Sequence, residues 1–168
     1  GHKGPNAGPL RTTDPPGEHP GACRALGANI ITTKRRLKPE ECFQGLFTTA
    51  LQPDEIITRV MLPVPKRAAY IKFRNQASRY ALVGVFVAKT ANGVRAAVTG
   101  AGPSVFRVKA MEDALAKNFS SAAIKDIKIP ADGLNSDIHA SAEYRAHLVG
   151  VMARRAVDAL HASSLKLH

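Results

Sequence analysis

Apolar and polar positions alternate most clearly between Ala69 and Gly100. Tyr70, Lys72 and Arg74 share one parity, and Ile71 and Phe73 share the other, as a half-buried strand requires. After a polar break at Asn75 to Arg79, the run from Tyr80 to Ala88 is almost wholly apolar, with Val83, Val85 and Val87 on one parity. Thr90-Ala91-Asn92-Gly93 then reverses the chain, because Asn-Gly tolerates the positive φ of a tight hairpin, and Val94 to Val98 returns. The pattern predicts a three-stranded antiparallel sheet. An isolated ribbon of that size is marginal, so helices must cover one face, which makes the fold class α+β.

Those helices follow the sheet. Val108, Met111, Ala114 and Leu115 repeat at helical spacing and predict a helix ending near Asn118, and Ser120 or Ser121 caps a short one through Ile124. The last helix is expected from about Ser141 to Ala162, with Tyr144, Leu148, Met152, Ala156 and Leu160 as its ridge and Val151 and Ala159 beside it. Thr99-Gly100-Ala101-Gly102-Pro103 reads as a tight crossing.

Ahead of the sheet the signal is patchier. Residues 1–22 are rich in Gly, Pro and Thr, and Asp14-Pro15-Pro16-Gly17-Glu18-His19-Pro20 reads as loop. A short helix is expected over Gly21 to Gly27, with Cys23 and Leu26 inward, and Asn29 to Thr33 has strand composition. Pro39 opens a helical turn whose Glu40 and Glu41 face its positive end. A strand from Ile56 to Leu62 should place Ile57, Arg59 and Met61 on one face, opposite Ile56, Thr58, Val60 and Leu62. Pro63 and Pro65 end it and mark the expected boundary between a leading segment, 1–62, and the organising domain, 63–168.

The formal charge of +11 is unevenly spread. No Asp or Glu falls between Glu55 and Glu112, while ten Lys and Arg do. Such a field favours an anionic partner, but no nucleic-acid-binding pattern accompanies it, and basic strands of an ordinary solvated sheet look much the same. Two cysteines are too few for a disulfide framework and point to a reducing, cytoplasmic setting. No run approaches the roughly 20 apolar residues of a membrane span. The histidines lack metal-ligand spacing, and there is no nucleophile motif or phosphate-binding loop of Walker type. Composition alone supports no catalytic residue.

Taken together, Gly45 to Leu51, Asp54 to Ile57, Leu62-Pro63, Tyr70 to Arg74, Ala77 to Arg79, Leu82 to Val85 and Ser136 to Arg145 closely resemble one family. It is the flavoprotein (medium) subunit of the molybdenum hydroxylases, the group containing aerobic carbon monoxide dehydrogenase and xanthine dehydrogenase. The resemblance implies that 63–168 is that subunit's C-terminal α+β domain and 1–62 a truncated tail of its second FAD-binding subdomain. It also implies FAD as cofactor, with electrons passing from iron–sulfur clusters through FAD to an outside acceptor. The partners so implied are a molybdenum-cofactor large subunit and an iron–sulfur small subunit.

By the same resemblance, Glu18 stands where an acidic side chain holds the ribityl hydroxyls, Ile57 where an aliphatic residue packs on the isoalloxazine, and Lys72 or Arg74 where a basic residue lies near the flavin. Gly1 to Pro9 resembles an eroded pyrophosphate loop in which Pro5 removes a donor. The family's first flavin loop has no counterpart, so FAD binding by the chain alone is expected to be weak or absent. An exposed flavin-facing patch around Ile57 would favour self-association. Two other readings stay open: a binding or assembly module that kept the fold and lost the flavin, and a nucleic-acid binder driven by the basic tract.

Overall fold

The computed structural model describes residues 18–45, 48–76 and 80–165. Residues 1–9, expected to be an eroded pyrophosphate loop, and the stretch from Asp14 to Gly17 lie outside the described residues. In chain order the elements are α1 (Glu18–Leu26), β1 (Asn29–Thr32), β2 (Arg36–Leu37), α2 (Pro39–Cys42), β3 (Phe43–Gly45), β4 (Thr48–Thr49), β5 (Ile57–Met61), β6 (Arg67–Arg74), β7 (Ala81–Thr90), β8 (Gly93–Thr99), β9 (Phe106–Arg107), α3 (Lys109–Lys117), a 3-10 turn at Ser121–Ile124, and α4 (Ala142–Leu165). The protein is α+β, with a small antiparallel sheet flanked by helices.

β6, β7, β8 and β9 form an antiparallel sheet in sequence order. It has one strand more than the three expected, because the chain leaving the 99–103 crossing pairs Phe106 and Arg107 with Val98 and Ala97. Thr90 pairs with Gly93 across the hairpin, and Gly93 takes φ +110°, a value that side-chain-bearing residues rarely adopt. α3 and α4 cover one face, burying Val83, Val85, Val87, Val94, Ala96 and Val98 against Met111, Leu115, Met152 and Val157. Ser120 caps the 3-10 turn by accepting from the Ala123 N–H.

The other face is covered too, by α1. Ala25 packs there on Ala97 and Val105, with Phe86 beside them. This explains why β7 is buried almost throughout: a strand covered on both faces reads as a continuous apolar run. α1 begins earlier than expected. Glu18, His19 and Pro20 form its first turn, where a proline is tolerated because the first N–H groups of a helix have no intrahelical partner. Gly27, at φ +64°, follows its last residue.

α1 also faces a second, smaller cluster. Cys23 packs with Ala28, Ile30, Leu37, Cys42 and Phe43 beneath the three-stranded sheet β2-β1-β5. Leu26, expected inward, is only half-buried; Cys23 and Ala25 are the buried positions of this turn. In β5 the expected parity fails at one residue. Ile31 pairs with Arg59 but Thr32 pairs with Ile57, so Thr58 is an extra residue in the ladder. A bulge of this kind exchanges faces, and Ile57 therefore joins Val60 against the small cluster.

Two ion pairs, each with one partner buried, pin the connections. Glu55 is fully buried; its carboxylate accepts from the Thr32 hydroxyl at 2.6 Å, from Arg35 Nε and Nη2 at 3.0 Å, and from the Gln52 N–H at 3.0 Å. Arg145 lies on the apolar stripe of α4 with 4% of its surface exposed. Its Nη1 donates to the carbonyls of Leu82 (2.7 Å) and Gly100 (3.2 Å), and its Nη2 to Asp137 Oδ2 (2.8 Å). Asp137 Oδ1 in turn accepts from the His139 and Ala140 N–H groups, fixing the loop into α4. With Arg145 on the stripe, the buried companions of Leu148, Met152, Ala156 and Leu160 are Val149, Ala153 and Val157; Val151 is half-buried and Tyr144 exposed.

Replacing Arg145 with Ala should destabilise the protein by about 3–5 kcal/mol in urea unfolding, because a carboxylate and two carbonyls lose a buried partner. Lysine, a point donor, should recover only part of this. A loss below about 1 kcal/mol would contradict the assignment.

Hydrogen bonds from Arg35, then from Thr32 and the Gln52 N–H, hold the Glu55 carboxyl at about 2 against an ordinary 4.5. The folded state therefore binds fewer protons than the unfolded one between those values. Its contribution is fully present above pH 4.5 and is lost as pH falls toward 2. Acid titration followed by circular dichroism should show this limb, and Glu55→Gln should flatten it.

Candidate functional site

On the face that α1 covers over β7, β8 and β9, the edge strand β6 carries half-buried Tyr70 and Lys72 and exposed Arg74. Tyr70 is the fixed point of this edge. Its hydroxyl lies 3.0 Å from Thr99 Oγ1, two strands away. The bond passes over Gly84, the cross-strand partner of both Lys72 and Thr99. A Cβ at Gly84 would overlap both hydroxyls, so glycine is the residue that lets the bond form. Thr99 is fully buried, and its methyl group lies 2.7 Å from where a Cβ of Gly21 would sit, so α1 also needs glycine where it crosses. The Tyr70 ring tilts against Phe86 at 6.4 Å, and the Lys72 ammonium lies 6.0 Å from the Tyr70 ring centroid, at the outer limit of a cation–π contact.

The two cations that sequence alone could not separate differ in setting. Lys72 is half-buried beside an anchored ring, whereas Arg74 is exposed next to the irregularity where Phe73 pairs with Val83 and Arg74 with Ala81. Ile57 lies on another element, β5, half-buried with one side against the Cys23–Phe43 cluster. The more exposed apolar side chains nearby are its neighbours Ile56, Met61, Leu62 and Val64. Glu18 is the first residue of α1, and its side chain lies outside what the structure describes. The four residues thus come from three elements.

Neither cysteine offers a nucleophile. Burial, then the neighbouring Cys42, pushes the Cys23 thiol up to about 12, and burial, then Glu55, raises Cys42 to about 11. Both stay protonated at neutral pH. Among the described residues, no group of three or more His, Cys, Asp or Glu is placed to hold a metal, and no helix is long and apolar enough to cross a membrane.

Residues 68–160, which include this sheet edge and most of α4, match the CO dehydrogenase flavoprotein C-terminal domain. The chain belongs to that family. It is thereby related to the medium (flavoprotein) subunits of the CO dehydrogenase and xanthine dehydrogenase group, as the resemblance of its motifs implied. It is 33% identical to the nicotine 6-hydroxylase medium subunit of Paenarthrobacter nicotinovorans, covering 93% of this chain and 60% of that one. It is 28% identical to the carbon monoxide dehydrogenase medium chain of Afipia carboxidovorans, covering 86% and 56%. Among solved structures, CO dehydrogenase from Oligotropha carboxidovorans superposes with a TM-score of 0.78 at 24% identity, covering 92% of this chain and 60% of that chain. Quinoline 2-oxidoreductase from Pseudomonas putida 86 gives 0.75 at 21%, covering 90% and 58%. These two likenesses bear on the fold. The chain spans about 60% of the length of the curated relatives it matches.

The support beneath Lys72 escaped sequence reasoning. A signal was present: Tyr70 shares Lys72's parity, and Gly84 interrupts an otherwise branched apolar strand. In a central strand such a glycine marks close approach by another group. Tyr70→Phe should cost about 1–3 kcal/mol by stranding the Thr99 hydroxyl, and Gly84→Ala a similar amount by overpacking. If the hydroxyl over Gly84 is the cause, the double variant in urea unfolding is destabilised by clearly less than the sum. Strict additivity would contradict the coupling.

Proposed function

We propose that this chain belongs to the C-terminal part of the FAD-binding medium subunit of a molybdenum hydroxylase. Residues 63–168 are that subunit's C-terminal domain, and 1–62 derive from its second FAD-binding subdomain. The observation that carries this reading is the family match over 68–160, joined to the edge of β6, where the Lys72 ammonium lies 6.0 Å from the anchored Tyr70 ring.

The described residues fit the ring end of a flavin in their chemistry: an aliphatic side chain, Ile57, and a cation on a half-buried strand edge, Lys72. Among the described residues there is no glycine-rich run of N–H donors suited to a pyrophosphate; the eroded loop at 1–9 lies outside them. When bound, FAD supplies the redox centre that takes up electrons and releases them to an outside acceptor. This chain's residues would position it. Ile57 packs on the ring, Glu18 receives ribityl hydroxyls, and Lys72, rather than exposed Arg74, sets a fixed positive charge beside the ring. A preorganised cation stabilises negative charge arriving near it.

The partners of this reading are a molybdenum-cofactor large subunit and an iron–sulfur small subunit, in the cytoplasm. The substrate belongs to the large subunit. Exposed Ile56, Met61, Leu62 and Val64 are the residues that such an assembly, or association between copies of the chain, would cover.

The chain alone should retain no stoichiometric flavin absorbance after gel filtration with FAD. Mixed with the N-terminal part of a family medium subunit, it should retain flavin, and Lys72→Gln should weaken that binding by more than Arg74→Gln does. Stoichiometric FAD on the chain alone would overturn the reading of a divided site. Absence of flavin even with the complement would favour a module that kept the fold and lost the cofactor.

A further inference from the structure

A groove of about 740 Å³ runs between α4 and residues 121–131. Its volume is that of a small-molecule site, roughly 300–1,000 Å³. α4 packs on the face of the sheet opposite Tyr70 and Thr99, so the groove is separate from the β6 edge. Along α4 it extends from Glu143 to Arg154, about 16 Å at the helical rise.

Three permanent cations, Lys125, Lys128 and Arg154, line it together with His147. Among the described residues, none of these four side chains has a hydrogen-bond or ion-pair partner. By contrast, Arg35, Arg107 and Arg145 each hold a carboxylate. Two carboxylates, Asp126 and Glu143, also line the groove. Glu143 is engaged already: hydrogen bonds from its own N–H and from Ser141 hold its carboxyl below the usual range. The floor is opened by Gly150, in the body of α4, where glycine is among the poorest helix formers. Among the described residues a Cβ there would meet only Arg154 Nη1, at 3.7 Å, so none of them requires glycine at this position. Gly150 is itself buried, with the Arg154 guanidinium alongside it, and Ile127 and Ile129 line the groove from the opposite segment.

We propose that this groove binds a phosphorylated small molecule of nucleotide size. Its phosphate is held among Lys125, Lys128 and Arg154, and its flat apolar part lies over Gly150 against Ile127 and Ile129. Several cations around one group suit a multiply charged oxyanion, and the guanidinium fork matches phosphate geometry.

The test is an NMR titration of the full chain with ADP and, separately, with inorganic pyrophosphate. ADP should give saturable shifts confined to 121–131 and the groove side of α4, and pyrophosphate should reproduce those near Arg154. Gly150→Leu, which blocks the floor with a good helix former, should weaken ADP binding at least about tenfold, whereas Gly150→Ala should retain it. Arg154→Gln and Lys125→Gln, surface changes that leave the fold intact, should each weaken it several-fold. Lys72→Gln should leave it unchanged, which separates this site from the flavin edge. No shifts at millimolar ADP would overturn the proposal. So would shifts spread over the basic surface that ignore Gly150→Leu and fade uniformly with salt, since they describe non-specific polyanion binding. Either result leaves the flavin reading as it stands.

Discussion

One guanidinium sits where three stretches of chain meet. Arg145 reaches from the first turn of α4 to the start of β7, to the crossing after β8 and to the loop that feeds α4 itself. Each acceptor is the kind of group that a junction between regular elements leaves unpaired: carbonyls beside the sheet and a carboxylate in a turn. A buried cation is expensive to desolvate and is tolerated when every face of it is engaged. Arg145 nearly meets that condition, with Nε alone unpaired. The result is an orientation constraint on α4, and with it on the hydrophobic stripe that closes one side of the sheet.

The opposite side depends on α1. A nine-residue helix in which Pro20, Gly21, Ala22, Cys23 and Ala25 are all small is a poor core element by volume. Its use here is thinness. It can lie close over β7 and β8 because Gly21 and Ala25 present little bulk, and its Cys23 side still reaches the small sheet. Residues 18–62 and the larger sheet are therefore joined by packing as well as by the Pro63–Pro65 connection. The edge strand β6 keeps half-buried Lys72 and exposed Arg74 on this same face.

The hairpin, α3, the capped 3-10 turn and α4 were legible because each declares itself over short range, through alternation, helical spacing or a capping serine. What escaped needed knowledge of distant neighbours. Arg145 reads as solvated charge until Asp137 and two carbonyls are placed around it. Thr58 gives no sign that it is an extra residue, yet it moves Ile57 to the face of Val60. The first turn of α1 was hidden by Pro20, whose composition signal says loop even where its position permits helix. At the candidate site, Lys72, Arg74, Ile57 and Glu18 were nameable only through family resemblance. Nothing in spacing alone singles out a lysine on an edge strand, and its aromatic support depends on a bond spanning three strands.

The stack formed by Gly21, Thr99, Gly84 and Tyr70 has a consequence for how this sequence can drift. Each member is fixed by the next: the tyrosine hydroxyl needs the threonine, the pair needs a bare strand beneath it, and the threonine methyl needs a bare helix above it. Single replacements are blocked at either glycine while the tyrosine and threonine remain. Loss of the tyrosine hydroxyl alone would leave the ring carbon and the Thr99 hydroxyl within 3 Å of a Cβ at position 84, so release there needs both side chains to change, whereas shortening Thr99 to serine is enough to release position 21. These four sites, spread over 79 residues of chain, should therefore change as a set among descendants of this protein, along a path on which the polar pair goes first and the glycines follow.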